Sequence, residues 1–142
     1  MSSPPAFPSP QAFLTEWHRV VREKDVEAVG ALLEDDITLG APPYWTKLAG
    51  KEIVSHLLGL IVNTIEGFHY HRQWVEGREL ALEFTGRLGD KELQGIDLIT
   101  LSPDHRITNL DVLMRPLNGI KALREAIAPQ MQELFARKAA SA

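Results

Sequence analysis

The stretch LALEFTGRLGDKELQGIDLITLSPDHRITNLDVLMR, residues 80–115, decides the fold. Apolar and polar residues alternate along it in three runs, which are separated by short segments rich in glycine, proline and aspartate. Alternation with a period of two is typical of strands with one buried face, and glycine and proline are typical of tight turns. The stretch therefore predicts three consecutive antiparallel strands, with an aspartate, Asp97, among the apolar residues of the middle strand.

Another strand precedes this stretch, and helices occupy most of the remaining chain. Residues 68–76 alternate, which predicts a strand with Phe68, Tyr70, Arg72 and Trp74 on one face. Apolar residues at helical spacing predict the other elements: helices that start near residues 10, 26, 50 and 118, and a short strand at 37–39. Proline inside the last helix, at residue 129, indicates a kink or a break. This order predicts an α+β fold with a curved antiparallel sheet.

Composition limits the class of protein. A length of 142 residues is usual for one domain, and we expect it at residues 10–138, after a proline-rich, disordered or extended lead-in at residues 1–9. The net charge is −4 and no basic stripe is present, so no nucleic-acid partner is expected. No apolar run is long enough to span a membrane. The absence of cysteine excludes a thiolate site and is compatible with a cytoplasmic location, which is our expectation.

Several short segments, taken together and in order, carry a resemblance to a known family. They are KDVEA (24–28), LEDDITL (33–39), GKEI (50–53), GIDL (95–98) and DHRI (104–107). In this order they resemble the nuclear transport factor 2-like superfamily, within it the branch of ketosteroid isomerases and polyketide-cyclase-like (SnoaL-like) proteins. The resemblance implies a cone-like sheet of four long strands and one short strand, wrapped around the N-terminal helices and closed by the C-terminal helix. It also implies a pocket inside the cone and a homodimer through the outer face of the sheet.

The isomerase chemistry of that branch carries over only in part. The carboxylate base of these enzymes corresponds to Ala41 here, and their acid tyrosine on the first helix corresponds to Trp17. Their second acid, an aspartate on the third long strand, corresponds to Asp97. Alanine cannot remove a proton from a carbon next to a ketone. An isomerase reaction through the standard residues is therefore disfavoured, and whether the chain is an enzyme stays open.

Asp97 is the candidate polar group of the pocket. Both faces of its strand are mostly apolar, which predicts that the strand is covered on both sides. Burial would then favour the neutral acid and raise the pKa of Asp97, and a neutral carboxylic acid can donate a hydrogen bond to a ligand carbonyl. Alternatively, Asp97 bonds to a neighbour such as Trp17 and serves only structure. Asp111 is predicted to face outward with Arg115, where a structural ion pair is favoured.

Large apolar side chains are predicted to line the pocket, although each taken singly could equally pack in the core. They are Trp17, Tyr44, Trp45, Trp74, Phe84, Ile99, Val112 and Met114. Tyr44 and Trp45 lie in a loop, where they either fill the core or line a site. His69 and His71 share a strand face as in a cupin metal motif, but the helical N-terminal half does not fit a cupin. We expect no metal and no cofactor.

These observations favour a pocket protein that binds a small, largely apolar molecule, which could carry a carbonyl group, with Asp97 as its polar anchor. One alternative is an isomerase-like, cyclase-like or hydrolase enzyme that uses Asp97 as acid or base. The other alternative is a non-catalytic dimerisation domain with a vestigial cavity. A cavity open to solvent, rather than filled by side chains, would count against this last alternative.

Overall fold

The computed structural model describes residues 6–141 of the chain. Its helices and strands follow the predicted order, with one additional short strand. The helices are α1 Pro10–Glu23, a short 3-10 helix Val26–Leu32, α2 Lys51–Thr64 and α3 Leu117–Ser141. The strands are β1 Leu33–Gly40, β2 Leu48–Ala49, β3 Glu66–Glu76, β4 Glu79–Leu88, β5 Lys91–Leu101 and β6 Ile107–Arg115.

The strands form one curved, unclosed sheet in the order β2-β1-β6-β5-β4-β3. Strands β3 to β6 make the predicted antiparallel meander, and the α+β class is confirmed. However, β1 pairs with β6 in parallel, with Leu39 opposite Leu110, so the sheet is mixed. Alternation says nothing about strand direction, and the two-residue β2 is too short to alternate. Both features were therefore missed in the sequence.

The first helix begins as its sequence predicts. The Ser9 hydroxyl accepts a hydrogen bond from the Ala12 N–H at 3.1 Å, and Pro10 occupies the first turn. An N-terminal serine cap and a proline after it are the preferred start of a helix. The helix buries Phe13 and Trp17 against the sheet, which places the Trp17 indole inside the cone.

Phe7 attaches the N-terminal segment to the turn between β5 and β6. Its N–H donates to the Asp104 carbonyl at 3.3 Å, its carbonyl lies 2.7 Å from Nδ1 of His105, and its ring packs edge-on against Phe13. These contacts hold residues 6–9 of the predicted lead-in. Residues 1–5 of that lead-in lie outside the described residues.

The core fills the space between the inner face of the sheet and the helices. Leu82, Ile99 and Leu110 point into it from three neighbouring strands and are at most 1% exposed. On the outer face, Leu98 is 41% exposed and Leu113 is 55% exposed. Strand β5 was predicted to be covered on both sides. Within one chain, only its inner face is covered.

A bulge in β3 reverses its predicted alternation. Tyr70 lies opposite Phe84, but the next paired residue, Gln73, lies opposite Leu82, so three residues of β3 span two of β4. A bulge of this kind moves every later side chain to the other face. Trp74 consequently lies on the outer face opposite Ala81, and half of its surface is exposed. Its predicted place in the pocket, beside Tyr70, is wrong for this reason.

The closing helix, α3, runs without a break through Pro129. The predicted break is therefore not present, although proline leaves the carbonyl four residues earlier without its usual helical partner. Leu123, Met131 and Leu134 of this helix are buried. In residues 6–141, no helix has both the length and the apolar character required to cross a membrane.

Candidate functional site

An apolar cavity of about 410 Å³ opens between the sheet, α2 and α3. Its floor is formed by Leu39 of β1 with Val112 and Met114 of β6, and the two helices form its walls. The helical wall residues are Leu57, Ile61, Ile120, Leu123, Ile127, Ala128, Met131 and Phe135. These apolar positions follow from the amphipathic patterns of α2 and α3, whose inward faces meet over the open side of the sheet.

The polar groups of the cavity are few and contain no acid. Its lining includes Tyr44, Thr46 and Lys47 from the loop after β1, and Arg124 and Gln132 from α3. None of its lining residues is aspartate, glutamate or histidine. The cavity can therefore hold an apolar body and donate hydrogen bonds at its edge, but its lining contains no ordinary general base.

Asp97 lies on the inner face of β5, beside the cavity rather than in its lining. It pairs with Leu82 on one side and with Val112 on the other. Since Val112 lines the cavity and paired residues share a face of the sheet, Asp97 is the neighbour of a lining residue. Asp97 is 7% exposed.

A chain of two hydrogen bonds connects Asp97 to α1. The Tyr70 hydroxyl donates to Asp97 Oδ2 at 2.6 Å, and the Trp17 indole N–H donates to the Tyr70 oxygen at 3.0 Å. The structural alternative named a direct bond from Trp17 to Asp97; Trp17 instead donates to Tyr70, which lies between them. Among residues 6–141, no fully buried polar side-chain atom lacks a partner. The two hydrogen bonds thus satisfy the Trp17 N–H and the Tyr70 hydroxyl.

Burial controls the protonation of this pair. Desolvation raises the pKa of Asp97 from 3.8 to about 7, although the hydrogen bond from Tyr70 opposes the rise. Desolvation and the nearby Asp97 carboxylate raise the pKa of Tyr70 well above its usual value. Tyr70 therefore remains a neutral donor, while Asp97 changes between its acid and carboxylate forms near neutral pH. The predicted rise in the pKa of Asp97 agrees with this environment.

A separate polar cluster lies at the cavity edge. Lys47 Nζ is 3.1 Å from Asp111 Oδ1 and 2.9 Å from Asn109 Oδ1, and Asn109 also accepts from the Thr38 hydroxyl. Asp111 faces outward as predicted, but its ion-pair partner is Lys47. Arg115 instead donates to Gln94 at 2.7 Å, and Lys47, from the loop after β1, takes the place beside Asp111 that was predicted for Arg115.

The structure distributes the predicted pocket residues over several places. Val112, Met114 and Tyr44 line the cavity. Trp17, Phe84 and Ile99 are buried in the core and do not line it. Phe84 stacks on Phe68 at 4.8 Å, and its ring occupies the space left by the missing side chain of Gly95.

Trp45 occupies neither of the two places predicted for it. It is 97% exposed and lines no part of the cavity. The loop turns at Ala41, whose carbonyl accepts from the Tyr44 N–H at 3.1 Å, and this turn brings Tyr44 to the cavity while Trp45 points outward. Large aromatic size alone therefore misled the prediction for Trp45.

His69 and His71 lie close together on the edge strand, with ring centroids 4.7 Å apart. Within residues 6–141, no cluster of three or more metal-ligating side chains is present. The His71 ring is already engaged by the Thr85 hydroxyl at 2.6 Å. This pair gives no reason to place a metal in the site.

Sequence reasoning missed Tyr70, which is the direct partner of Asp97. Its signal was present, because alternation placed Tyr70 on the same inward face as Phe68 and opposite the apolar face of α1. Arg124 and Lys47 were also missed as cavity residues. Arg124 lies one position after the buried Leu123, and only the path of α3 across the sheet brings it to the cavity.

The fold and the cavity define an α+β cone protein with an apolar pocket, and comparison with solved structures agrees. A steroid delta-isomerase from Pseudomonas aeruginosa is 34% identical, with a TM-score of 0.84 over 94% of this chain and 99% of its own. An uncharacterized bacterial protein with a cystatin-like fold, from Silicibacter pomeroyi, is 32% identical over 83% of this chain and 84% of its own, with a TM-score of 0.79.

A protein of unknown function from Mesorhizobium loti, described as nuclear transport factor 2-like, shares the fold at 15% identity, with a TM-score of 0.67 over 75% of this chain and 91% of its own. No protein-family model matches the sequence, and no curated protein matches it. The chain belongs to the nuclear transport factor 2-like superfamily. The predicted family is thereby confirmed.

The raised pKa of Asp97 predicts a pH-dependent stability. The folded state holds the Asp97 proton up to about pH 7, whereas the unfolded chain releases it near 3.8. The free energy of unfolding should therefore fall as pH rises from about 4 to 7 and then level off, a total loss of about 4 kcal/mol. In Asp97→Asn this loss should disappear, because the amide is neutral throughout.

Urea unfolding at a series of pH values measures this effect. Asp35→Asn is the control, since the Asp35 side chain is 96% exposed and its replacement should leave the pH profile unchanged. An identical fall in stability in wild type and Asp97→Asn would show that another group is responsible.

Proposed function

We propose that the protein binds a small, largely apolar molecule in the cavity between the sheet, α2 and α3, with Asp97 as a polar anchor beside the floor. The observation that carries this proposal is an open space of about 410 Å³ with apolar walls. Ligand pockets typically have volumes of about 300–1,000 Å³, whereas well-packed cores leave few voids larger than a water molecule. An open cavity also counts against a dimerisation domain with a vestigial, filled pocket.

The hydrogen bonding of Asp97 supports its role as anchor. Tyr70 occupies Oδ2, while the described residues provide no hydrogen-bond donor for Oδ1. In the neutral acid, a proton on Oδ1 could be donated to a ligand carbonyl that reaches past Val112. A pKa near 7 leaves a substantial fraction of this acid neutral under ordinary conditions. A carbonyl-bearing apolar molecule therefore fits both the walls and the anchor.

Filling the cavity should abolish binding. Ala128 of α3 lines the cavity and is partly buried, so the indole of Ala128→Trp would occupy ligand space. We expect this variant to bind 1-decanol, a neutral apolar probe, at least about tenfold more weakly than wild type, because about two methylenes of burial would be lost. Isothermal titration calorimetry measures the dissociation constant.

Ala126→Trp provides the matched control. Ala126 lies on the same helix but is exposed and does not line the cavity, so binding of 1-decanol should stay unchanged. Equal affinities of both variants and wild type, or no binding by wild type, would contradict the proposed function.

An isomerase-type enzyme is the second candidate. The similarity to a steroid delta-isomerase favours it, and so does an aspartate with a pKa near 7. Against it, the lining contains no carboxylate or imidazole, and Ala41 lines the cavity at the position that corresponds to the family base. Asp97 would have to serve as the base from behind Val112. Binding without turnover is therefore better supported.

Turnover of a β,γ-unsaturated 3-ketosteroid separates the two candidates. Isomerisation removes a proton from the carbon between the alkene and the ketone and returns it at the far alkene carbon, which creates an absorbing conjugated enone. We expect no rate above that in buffer. Turnover by wild type that is lost in Asp97→Asn would replace the binding proposal with the isomerase.

We also propose that the chain forms a homodimer through the outer face of the sheet. Trp74, Leu98 and Leu113 are 50%, 41% and 55% exposed there. Leu98 and Leu113 lie on the neighbouring strands β5 and β6, and Ala81 of β4 pairs with both Leu98 and Trp74 of β3. Exposed apolar side chains that adjoin one another are typical of a protein–protein contact. A second copy of the same curved face would cover them.

Sedimentation velocity tests this dimer. We expect wild type to sediment as a dimer and Leu113→Lys as a monomer, because a buried unpaired ammonium is unfavourable at an apolar contact. Leu117→Lys is the control, since Leu117 is 77% exposed at the start of α3, away from the sheet face. A monomeric wild type, or a dimer unaffected by Leu113→Lys, would refute this interface.

A further inference from the structure

The charged residues in the lining of the cavity are all basic. Its lining holds two cations, Lys47 and Arg124, and no acidic residue. The chain as a whole has the opposite bias, with 19 acidic and 15 basic residues. A lining whose charged residues are all basic differs in charge from the rest of the chain, and this difference indicates the charge of its ligand.

The two cations are not equivalent. The charge of Lys47 is compensated by Asp111 at 3.1 Å, and Asn109 accepts a further hydrogen bond from it. Arg124 is exposed on α3, and in the part of the chain that the structure describes no acidic side chain forms an ion pair with it. Its guanidinium is thus a charged, unpaired donor group at the edge of an apolar space.

We propose that the ligand is an amphipathic carboxylate, which places its apolar body in the cavity and its carboxylate against Arg124. This inference rests on the proposed function, since it specifies the polar end of the molecule bound in the same cavity. A guanidinium matches a carboxylate with two parallel hydrogen bonds. Gln132 and Tyr44, which also line the cavity, add neutral donors elsewhere in the lining.

The arrangement of apolar and polar groups gives the ligand a direction. Leu57, Ile61 and Met114 of the lining are apolar and buried or half-buried, whereas Arg124 and Gln132 of α3 are exposed. A carboxylate deep in the cavity would lose its hydration without a cationic partner. At Arg124 it keeps both its charge partner and contact with water, so the carboxylate end of the ligand faces the solvent.

The test compares three probes with the same ten-carbon chain: decanoate, 1-decanol and decylammonium. At neutral pH the carboxyl group is ionised, because its pKa is about 4. By isothermal titration calorimetry, wild type should bind decanoate about tenfold more tightly than 1-decanol, as expected for one charge-assisted pair. Arg124→Gln should bind the two equally, and Arg124→Glu should prefer decylammonium.

Lys121→Gln is the matched control. It removes one positive charge from the same helix, at an exposed position that does not line the cavity, so the preference for decanoate should remain. This control separates a local contact with Arg124 from a general effect of net charge. Raising the salt concentration should weaken decanoate binding and leave 1-decanol binding unchanged.

The outcomes distinguish this inference from the proposed function. If wild type binds 1-decanol but binds decanoate no more tightly, the carboxylate proposal fails and the apolar pocket stands. The same holds if Arg124→Gln retains the preference for decanoate. If wild type binds none of the three probes, the proposed function fails and the inference fails with it.

Discussion

The hydrogen bond from Tyr70 to Asp97 joins three parts of the molecule. It crosses from the edge strand β3 to β5, passing over the intervening strand β4, and Trp17 extends it to α1. A buried carboxyl group without a partner would be strongly destabilising, so this bond makes an acid tolerable in the middle of the inner face. It also fixes how α1 sits on the sheet, because both donors require one geometry. The elements α1, β3 and β5 therefore meet at this contact.

Local pattern was sufficient to predict most of the architecture. The runs around Leu82, Ile99 and Leu110 each became a strand with an apolar inner face, although the run around Ile99 is mostly apolar on both faces. The predicted side-chain positions were wrong where one extra residue in a strand, or one turn in a loop, changed the direction in which a side chain points. The bulge after Tyr70 sent Trp74 outward, and the turn at Ala41 separated Tyr44 from Trp45. Neither device changes composition or period enough to be visible in a single sequence.

Only the part of the cavity lining that the sheet contributes was predictable from the sequence. Val112 and Met114 line the cavity because alternation alone puts them on the inner face. The other half of the lining comes from α2 and α3, and helical periodicity does not say which residues of a helix face meet a void and which meet the core. Arg124 illustrates this, since its importance depends on where α3 crosses the sheet. For Tyr70, alternation gave the face of the strand but not the contact with Asp97, which lies two strands away in the sheet.

The parallel pairing of β1 with β6 has a consequence for how the protein is made. Leu39 and Leu110 are neighbours in the sheet but lie far apart along the chain, so the cost of closing this loop falls on a late contact. The meander from β3 to β6 has only short connections, so its strand contacts are more local in the sequence. β1 must wait until β6 has been synthesised. Because the floor of the cavity includes β6 and its wall includes α3, which follows β6, the cavity is complete only after the C-terminal helix has been synthesised.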